Sequence, residues 1–281
     1  MILVDNTQII LSSLFAMYPT PQSMQEASDD PLDLIRHITL NTYRIIKNKF
    51  GSEYGDIVIC QDAGNYWRKD LFPHYKANRK RTESTDKEYW DGIYESLRTM
   101  RIEIAENMPY RNLWVERCEA DDIIGVLAKH YSPTEKVLIV SNDKDFQQLL
   151  VFPNVRLYSY QKKSYVVCPD PAAFLYEQIV RGDSSDGVPN ILSEDDTIIS
   201  PNKRQKPITA KRLVEFCQNI PDENKENFKR NQQMIDLNYI PVSYQEAILE
   251  EYASTKQNVG RMFKYFAEHK LATMMESISE F

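Results

Sequence analysis

The chain has 281 residues, of which 42% are hydrophobic and 11% are aromatic, enough to bury a sizeable core and to exclude a disordered chain. No apolar run approaches the ~20 residues of a membrane-spanning helix, which argues against membrane contact. The four cysteines form no CxxC pair, so neither a zinc ribbon nor a disulfide framework is supported. The N-terminus shows no signal-peptide pattern, and we therefore expect a cytoplasmic protein.

The net charge of −7 argues against nucleic-acid binding, but the charges are unevenly distributed. Six basic residues lie between Tyr66 and Arg81, among several aromatic residues, and five lie between Lys203 and Arg212. Basic residues interleaved with aromatic rings are typical of segments that bind single strands, because rings stack on bases and cations contact phosphates. We expect the first segment, residues 65–86, to be an exposed and mobile arch.

Apolar runs and helical spacing predict strands that alternate with helices through residue 150. The predicted strands are residues 1–5, 56–62, 112–116 and 136–141, and the predicted helices are residues 7–18, 31–50, 89–107 and 119–131. A loop is predicted over residues 19–30 and a hairpin over residues 155–168. Beyond Ser184 the chain is expected to be entirely helical.

This alternation predicts an α/β fold with a central, mainly parallel sheet and helices on both faces, followed by a C-terminal helical lobe. We place the core at residues 1–182 and the lobe at residues 183–281. In such sheets, ligands bind at the carboxyl ends of the strands, so side chains at those ends are the candidates for chemistry.

Carboxylates are frequent at the ends of the predicted strands and helices. Nine of them are candidate metal ligands: Asp5, Asp62, Glu119, Asp121, Asp122, Asp143, Asp145, Asp183 and Asp186. Each taken alone could cap a helix or lie in a loop. Together they would repel one another unless cations neutralised them, and oxygen ligands suit hard divalent ions. So many carboxylates predict two Mg²⁺ ions, which Mn²⁺ could replace, and two ions ~4 Å apart fit in-line phosphodiester cleavage.

Five blocks, in the same order, resemble the flap endonuclease or 5′-nuclease family, which shares its core with PIN-domain ribonucleases. They are Leu-Val-Asp at 3–5, the Tyr-Trp-Arg-Lys and Tyr-Lys-x-x-Arg runs within 62–79, Glu-Ala-Asp-Asp-Ile-Ile-Gly at 119–125, Ser-Asn-Asp-Lys-Asp at 141–145 and Gly-Asp-Ser-Ser-Asp-Gly-Val-Pro at 182–189. The bacteriophage members with ribonuclease H activity resemble nearly the whole chain. A phage protein would act in the host cytoplasm.

The resemblance implies roles for individual residues. The first metal site would be formed by Asp5, Asp62, Glu119, Asp121 and Asp122, and the second by Asp143, Asp145, Asp183 and Asp186. The catalytic residues would be Lys76, Arg79 and Asp121. The nucleic-acid-binding residues of the first basic segment would be Arg68, Lys69, Tyr75, Lys76 and Arg79. Residues 182–189 would open a helix–three-turn–helix element that grips duplex phosphates.

Residues 190–207 depart from the family, which has a glycine-rich loop soon after this element. The stretch contains no glycine and ends in a basic run. One interpretation is that Lys203, Arg204 and Lys206 bind the duplex phosphates in place of backbone groups. The other is a solvated insertion without contact to nucleic acid.

The predicted function is that of a metal-dependent, structure-specific 5′→3′ nuclease. It would act on RNA–DNA hybrids and on DNA with 5′ flaps or nicks, and would remove RNA primers in lagging-strand replication. We expect a monomer, with a replication single-strand-binding protein as a partner by resemblance only. The alternatives are a PIN-type single-strand ribonuclease, which the arch and lobe disfavour, and a catalytically silent DNA-junction binder, which the full set of carboxylates disfavours.

Overall fold

A central sheet organises the molecule, which a computed structural model describes over residues 1–79, 87–258 and 260–281. Within these residues the sheet has six strands in the order β3-β2-β1-β4-β5-β6. The strands are β1 (Ile2–Asp5), β2 (Ile57–Cys60), β3 (Arg111–Leu113), β4 (Val137–Val140), β5 (Val155–Ser159) and β6 (Ser164–Val166). Neighbouring strands are parallel except β5 and β6, which form an antiparallel hairpin. The prediction of a mainly parallel α/β sheet is confirmed.

Helices surround this sheet and make up most of the C-terminal third. They are α1 (Asn6–Met17), α2 (Pro21–Ala27), α3 (Pro31–Tyr54), α4 (Arg68–Leu71), α5 (Lys87–Asn107), α6 (Ala120–Tyr131), α7 (Pro171–Arg181), α8 (Ala210–Gln218), α9 (Lys225–Ile235), α10 (Val242–Ser254), α11 (Met262–Glu268) and α12 (Ala272–Glu276). Short 3₁₀ helices occur at Lys144–Val151, Asp222–Asn224, Leu237–Tyr239 and Ile278–Glu280. None of the described helices is long and apolar enough to cross a membrane.

Two hydrophobic clusters, one on each face, hold the helices to the sheet. The first cluster joins the sheet to α1, α3 and α5, and the second joins it to α6 and α10. Strands β1, β2 and β4 are buried along their whole length, which explains why their sequences are continuous apolar runs and do not alternate.

Two stretches differ from the predicted secondary structure. The predicted loop at residues 19–30 contains α2, which begins because the Thr20 hydroxyl accepts a hydrogen bond from the Ser23 backbone N–H at 3.1 Å and Pro21 suits the first helical position. The chain between α7 and α8 is irregular where helix was expected. Side-chain bonds to the backbone stabilise it, including one from Asn190 Nδ2 to the Lys206 carbonyl at 2.7 Å.

The expectation that residues 65–86 are exposed is wrong for the aromatic residues at 67, 72 and 75, although Leu71 and Arg79 are exposed. Trp67, Phe72 and Tyr75 are at most 3% exposed. Phe72 and Tyr75 pack against residues of α7 and α9, including Met234, so this segment is covered by the C-terminal part of the chain. Residues 80–86, the rest of the predicted arch, lie outside the described residues. The boundary at residue 182 stays a prediction.

Candidate metal centre and nucleic-acid interface

The carboxyl ends of β1, β2 and β4 bring acidic side chains to one edge of the sheet. We call this group the acidic edge; its residues are Asp5, Asp62, Asp121, Asp143 and Asp145. The strand register explains the grouping, because Asp5 lies beside Cys60 of β2 and Val4 lies beside Val140 of β4. The residues that follow these two strands therefore flank Asp5.

Hydrogen bonds fix the members of the acidic edge relative to one another. Asp5 is 4% exposed and accepts a hydrogen bond from Ser141 Oγ at 2.7 Å. The same Oγ accepts a bond from the Asp143 backbone N–H at 2.9 Å, so Ser141 links the two acidic positions. Asp62 accepts a bond from the Ala120 N–H at 3.0 Å, which brings the start of α6, and with it Asp121, to the same edge.

These carboxylates disfavour one another's charge. Burial, and then the neighbouring Asp62, raises the pKa of Asp5 to about 8. Burial followed by Asp143 and Asp5 raises the pKa of Asp121 well above its usual range. Burial and Asp143 raise the pKa of Asp145 to about 7. A positive ion at this edge would relieve the repulsion.

A second group of acids is neutralised by basic side chains of the protein. The Arg68 guanidinium lies 2.9 Å from Glu119 and 2.8 Å from Asp122. Lys76 Nζ contacts Glu119 and lies 3.6 Å from Asp186, and the Arg79 guanidinium lies 2.7 Å from Asp186. Burial opposes the charge of Glu119, but Lys76 and Arg68 hold its pKa below the usual range. Glu119, Asp122 and Asp186 are thus paired with cations in this conformation, and Asp183 lies 3.8 Å from Lys144 Nζ.

Asp122 and Arg68 differ most from their predicted roles. Asp122 is fully buried and also accepts hydrogen bonds from Trp67 Nε1 and the Glu119 backbone N–H, each at 3.0 Å. It therefore stabilises the start of α6 and does not face the open edge. Arg68 is 2% exposed, and its Nε donates to the Met234 carbonyl at 3.1 Å. In this conformation Arg68 has no exposed N–H group that could make the predicted contact with a phosphate.

The other predicted nucleic-acid residues of the segment take different positions. Tyr75 is 3% exposed, and its hydroxyl lies 2.8 Å from Glu119 and 3.0 Å from Asp186. It orients carboxylates and offers no ring to a base. Lys69 Nζ lies 5.2 Å from the centre of the half-buried Tyr66 ring. Of the three cations that pair with carboxylates here, Arg79 is the most accessible, with 50% of its side chain exposed.

Asp183 lies in a tight turn next to the acidic edge. Its carboxylate accepts hydrogen bonds from the Ser185 backbone N–H at 2.8 Å and the Ser185 hydroxyl at 2.5 Å. Burial opposes its charge, but these bonds and Lys144 lower its pKa. Gly182 begins the turn at φ 69°, and a Cβ there would lie 2.5 Å from the Val188 carbonyl oxygen, so only glycine fits.

The basic run of residues 203–206 contacts acidic residues that lie earlier in the same insertion. Lys203 Nζ lies 2.6 Å from Glu194 and 2.6 Å from Asp196, so its charge is locally compensated. Arg204 and Lys206 are exposed, and among the described residues no carboxylate pairs with either of them. Of the three predicted duplex contacts, these two remain available.

Two residues that contact the acidic edge were not predicted as site residues. Ser141 belongs to the Ser-Asn-Asp-Lys-Asp block, and its place directly after a strand and two residues before Asp143 was a usable signal. Gln178 Nε2 lies 2.5 Å from Asp145 Oδ1, although the two residues are far apart in sequence. No local pattern marks Gln178, because its role depends on the packing of α7.

The donor atoms of the acidic edge are of the kind that hard divalent ions prefer. It offers only oxygen donors, and repulsion among them raises the pKa of several, which is the electrostatic condition that a bound cation removes. Among the described residues, no three His, Cys, Asp or Glu side chains are placed to hold one ion together in this conformation. In this conformation Glu119 is paired with Lys76 and Asp186 with Arg79, so neither carboxylate is free to bind an ion.

Comparisons with known proteins show which families this chain resembles. Residues 1–177 match the family described as 5′-3′ exonuclease, N-terminal resolvase-like domain, and residues 172–281 match the family described as T4 RNase H, C terminal. The chain is 30% identical to Ribonuclease H of Enterobacteria phage T4, across 99% of this chain and 95% of that protein. It is also 30% identical to a 5′-3′ exonuclease of Buchnera aphidicola, across 63% of this chain and 62% of that protein.

Solved structures share the fold. A flap endonuclease of bacteriophage T5, determined as a pseudo-enzyme-product complex with DNA and metal ions, has a TM-score of 0.63 and 14% identity, covering 90% of this chain and 97% of that one. Both halves of the chain thus match nuclease families, and the match to the phage T4 protein extends from end to end. The chain belongs to the 5′-3′ exonuclease family, whose members hydrolyse phosphodiester bonds.

Proposed function

We propose that the protein is a divalent-metal-dependent, structure-specific 5′→3′ nuclease that cleaves RNA–DNA hybrids and DNA with 5′ flaps or nicks. The observation that carries this proposal is the acidic edge. Asp5, Asp62 and Asp143 lie at or just after the ends of three parallel strands, and Asp121 lies at the start of α6 beside them. Burial and neighbouring carboxylates raise the pKa of Asp5 and of Asp121, in a chain 30% identical to a phage ribonuclease H.

Two Mg²⁺ ions, replaceable by Mn²⁺, are the cofactors that we propose. Asp5, Asp62 and Asp121 would hold the first ion, and Asp143, Asp145, Asp183 and Asp186 would hold the second. When bound, such ions supply an activated water and stabilise the attacking and leaving oxygens. Glu119 would join the ligands only after exchanging its contact with Lys76.

Lys76 and Arg79 have a proposed role that follows from their present partners. Lys76, with 11% of its side chain exposed, lies between Glu119 and Asp186, and Arg79 pairs with Asp186 at the surface. Once ions neutralise these carboxylates, the two cations are free to contact the phosphate that is cleaved. A cation held in a site that excludes water stabilises developing negative charge more strongly than one in bulk solvent.

The shape of the substrate and the biological task are also part of the proposal. We propose that the substrate carries a single 5′ strand joined to a duplex, and that the task is removal of RNA primers from lagging-strand fragments. The related T5 flap endonuclease was solved with DNA and metal ions, which supports DNA as a substrate class. A monomer that cooperates with a replication single-strand-binding protein fits this task.

Cleavage of matched labelled substrates tests the proposal. A 5′-flap duplex, an RNA–DNA hybrid, a 3′-tailed duplex and a free single strand would each be incubated with Mg²⁺ or with EDTA. We expect Mg²⁺-dependent release of short 5′ products from the first two substrates and slow or no cleavage of the others. Preferred cleavage of the free strand would favour a single-strand ribonuclease. Tight binding of the flap without cleavage would favour a silent junction binder.

A further inference from the structure

An exposed tryptophan lies beside the acidic edge. Trp114 follows the last residue of β3, and its exposed fraction is 38%. The carbonyl of the preceding Leu113 accepts a hydrogen bond from the backbone N–H of Gln61 at 3.0 Å, and Gln61 immediately precedes Asp62. Trp114 is therefore placed one strand away from a predicted metal ligand, on the edge where the substrate must lie.

Most aromatic rings of the first basic segment are buried, and the half-buried Tyr66 lies against the ammonium groups of Lys69 and Lys76. Trp67, Phe72 and Tyr75 are each no more than 3% exposed, and the Tyr75 hydroxyl donates to carboxylates. A single-stranded segment approaching this edge therefore meets Trp114 as an accessible ring.

One arginine side chain contacts the tryptophan, and a second lies close to the first along the same helix. The Arg101 guanidinium carbon lies 4.9 Å from the centre of the Trp114 ring. The backbone of Arg101 is fixed to β3, because Asn112 Nδ2 donates to its carbonyl at 2.9 Å. Arg98 lies one helical turn earlier on α5, and its exposed guanidinium pairs with the equally exposed Glu95 at 2.5 Å, an ion pair that contributes little and can be exchanged for another anion.

The charge of Arg101 is not compensated within the described part of the chain, where no carboxylate forms an ion pair with it. Burial, and then the like charge of Arg98, lowers the pKa of Arg101. An anion bound between the two guanidinium groups would relieve this repulsion. A stacked base with its phosphate supplies both an aromatic face and the required negative charge.

We propose that Trp114, Arg101 and Arg98 form a binding site for one nucleotide of the single-stranded 5′ segment, with the base stacked on Trp114 and its phosphate held by the arginines. This site rests on the proposed nuclease function, whose substrate supplies the strand. It is sequence-tolerant, because every base offers a π-face.

Binding to three duplexes, two of which carry a tail, tests the site in EDTA, which prevents cleavage. The duplexes carry a normal 5′ tail, a 5′ tail of abasic residues with the same phosphates, or no tail. We expect the wild type to prefer the normal tail to the abasic tail by about 10-fold, the size of one base stack. Trp114→Ala should lose this preference, and Trp114→Phe should keep most of it because it keeps a ring.

Tyr165→Ala is the matched control. Tyr165 is 44% exposed and lies on β6, at the opposite edge of the sheet from β3. The Tyr165→Ala variant should bind all three duplexes as the wild type does. Untailed-duplex binding reports whether each variant is folded.

A second measurement uses substitutions that keep the ring. Arg101→Gln together with Arg98→Gln should lower the slope of log affinity against log salt for the tailed duplex by about 1, since the arginines no longer neutralise that phosphate. The proposal is overturned if wild-type protein binds the abasic and normal tails equally, or if Trp114→Ala keeps the preference. Either result leaves the nuclease proposal intact, because that proposal depends on Mg²⁺-dependent cleavage and not on this preference.

Discussion

The carboxylates of this site divide according to their immediate neighbours. Asp5 and Asp121 face other carboxylates, and their pKa values are raised, whereas Glu119 faces Lys76 and Arg68, and its pKa is lowered. Identical functional groups, close in space, therefore have pKa values shifted in opposite directions. The sequence shows the carboxylates but not this division, because it depends on which basic side chains pack against each of them.

Asp121→Asn should abolish cleavage while leaving the fold and the binding of duplex intact. The amide keeps the shape of the side chain but removes one negative charge from the proposed ion site. A rate loss of about 100-fold or more is expected in a flap-cleavage assay with Mg²⁺, with unchanged affinity in EDTA. Turnover at the wild-type rate would remove Asp121 from the site.

Arg68→Met should destabilise the protein by about 3–5 kcal/mol, because it leaves the buried carboxylates of Glu119 and Asp122 without their shared cation. The free energy of unfolding by urea measures the effect. Arg117→Met is the control: Arg117 also pairs with an aspartate, Asp70, at 2.6 Å, but that pair is exposed and its removal should change stability little. Equal effects of the two substitutions would show that the Arg68 pair is not structural.

Among the elements, those with a strong local pattern were predictable. The strands β1, β2 and β4 are unbroken apolar runs, and α6 has acidic residues in its first turn and apolar residues facing the sheet. Residues 65–79 were misjudged because few aliphatic residues occur there. Their burial comes from aromatic packing against Met234 and from ion pairs with Glu119, interactions between residues far apart in the sequence.

The insertion at residues 190–207 is also ordered by interactions that the sequence could not show. Asn227 Nδ2 donates to the Ile191 carbonyl at 3.0 Å, and Arg230 pairs with Asp195. These side chains come from α9, more than thirty residues downstream. The stretch is therefore packed against the helical part of the chain, and its contact with duplex stays a prediction for Arg204 and Lys206.

Arg204→Ala together with Lys206→Ala should flatten the salt dependence of duplex binding by about 2 in the slope of log affinity against log salt, one unit for each phosphate that is no longer neutralised. Lys203→Ala is the internal control, because that ammonium is already compensated by Glu194 and Asp196. Binding titrations at several salt concentrations measure the slopes. An unaltered slope in the double variant would place the insertion away from the duplex.

At the scale of the whole molecule, the acidic edge links stability to pH and to metal. The pKa values of Asp5 and Asp145 are raised to about 8 and about 7 in the folded protein. The folded state therefore holds protons more tightly than the unfolded chain, where aspartate titrates near ~3.9. The stability from these groups is present at low pH and is lost as the pH rises through 8. Glu119 and Asp183, whose pKa values are lowered, lose stability only below about pH 4.

Metal-free protein should thus melt several degrees lower at about pH 8 than at about pH 5.5, since ~1 kcal/mol moves the midpoint of a chain this size by about 2–4 °C. Mg²⁺ should raise the midpoint at the higher pH, because it binds the deprotonated carboxylates of the folded state. Asp5→Asn should flatten the pH dependence. Thermal unfolding in EDTA and in Mg²⁺ measures both effects. A midpoint at pH 8 that is the same with and without Mg²⁺ would argue against a metal site.

The most direct test of the central claim is to locate the ions themselves. Anomalous scattering from crystals of the wild type grown with Mn²⁺ shows where divalent ions bind. We predict strong peaks within bonding distance of the carboxylates of Asp5, Asp121 and Asp143, and their disappearance in Asp121→Asn. Peaks confined to other parts of the surface, from protein that cleaves a 5′ flap with Mn²⁺, would contradict the assignment of the acidic edge as the metal centre.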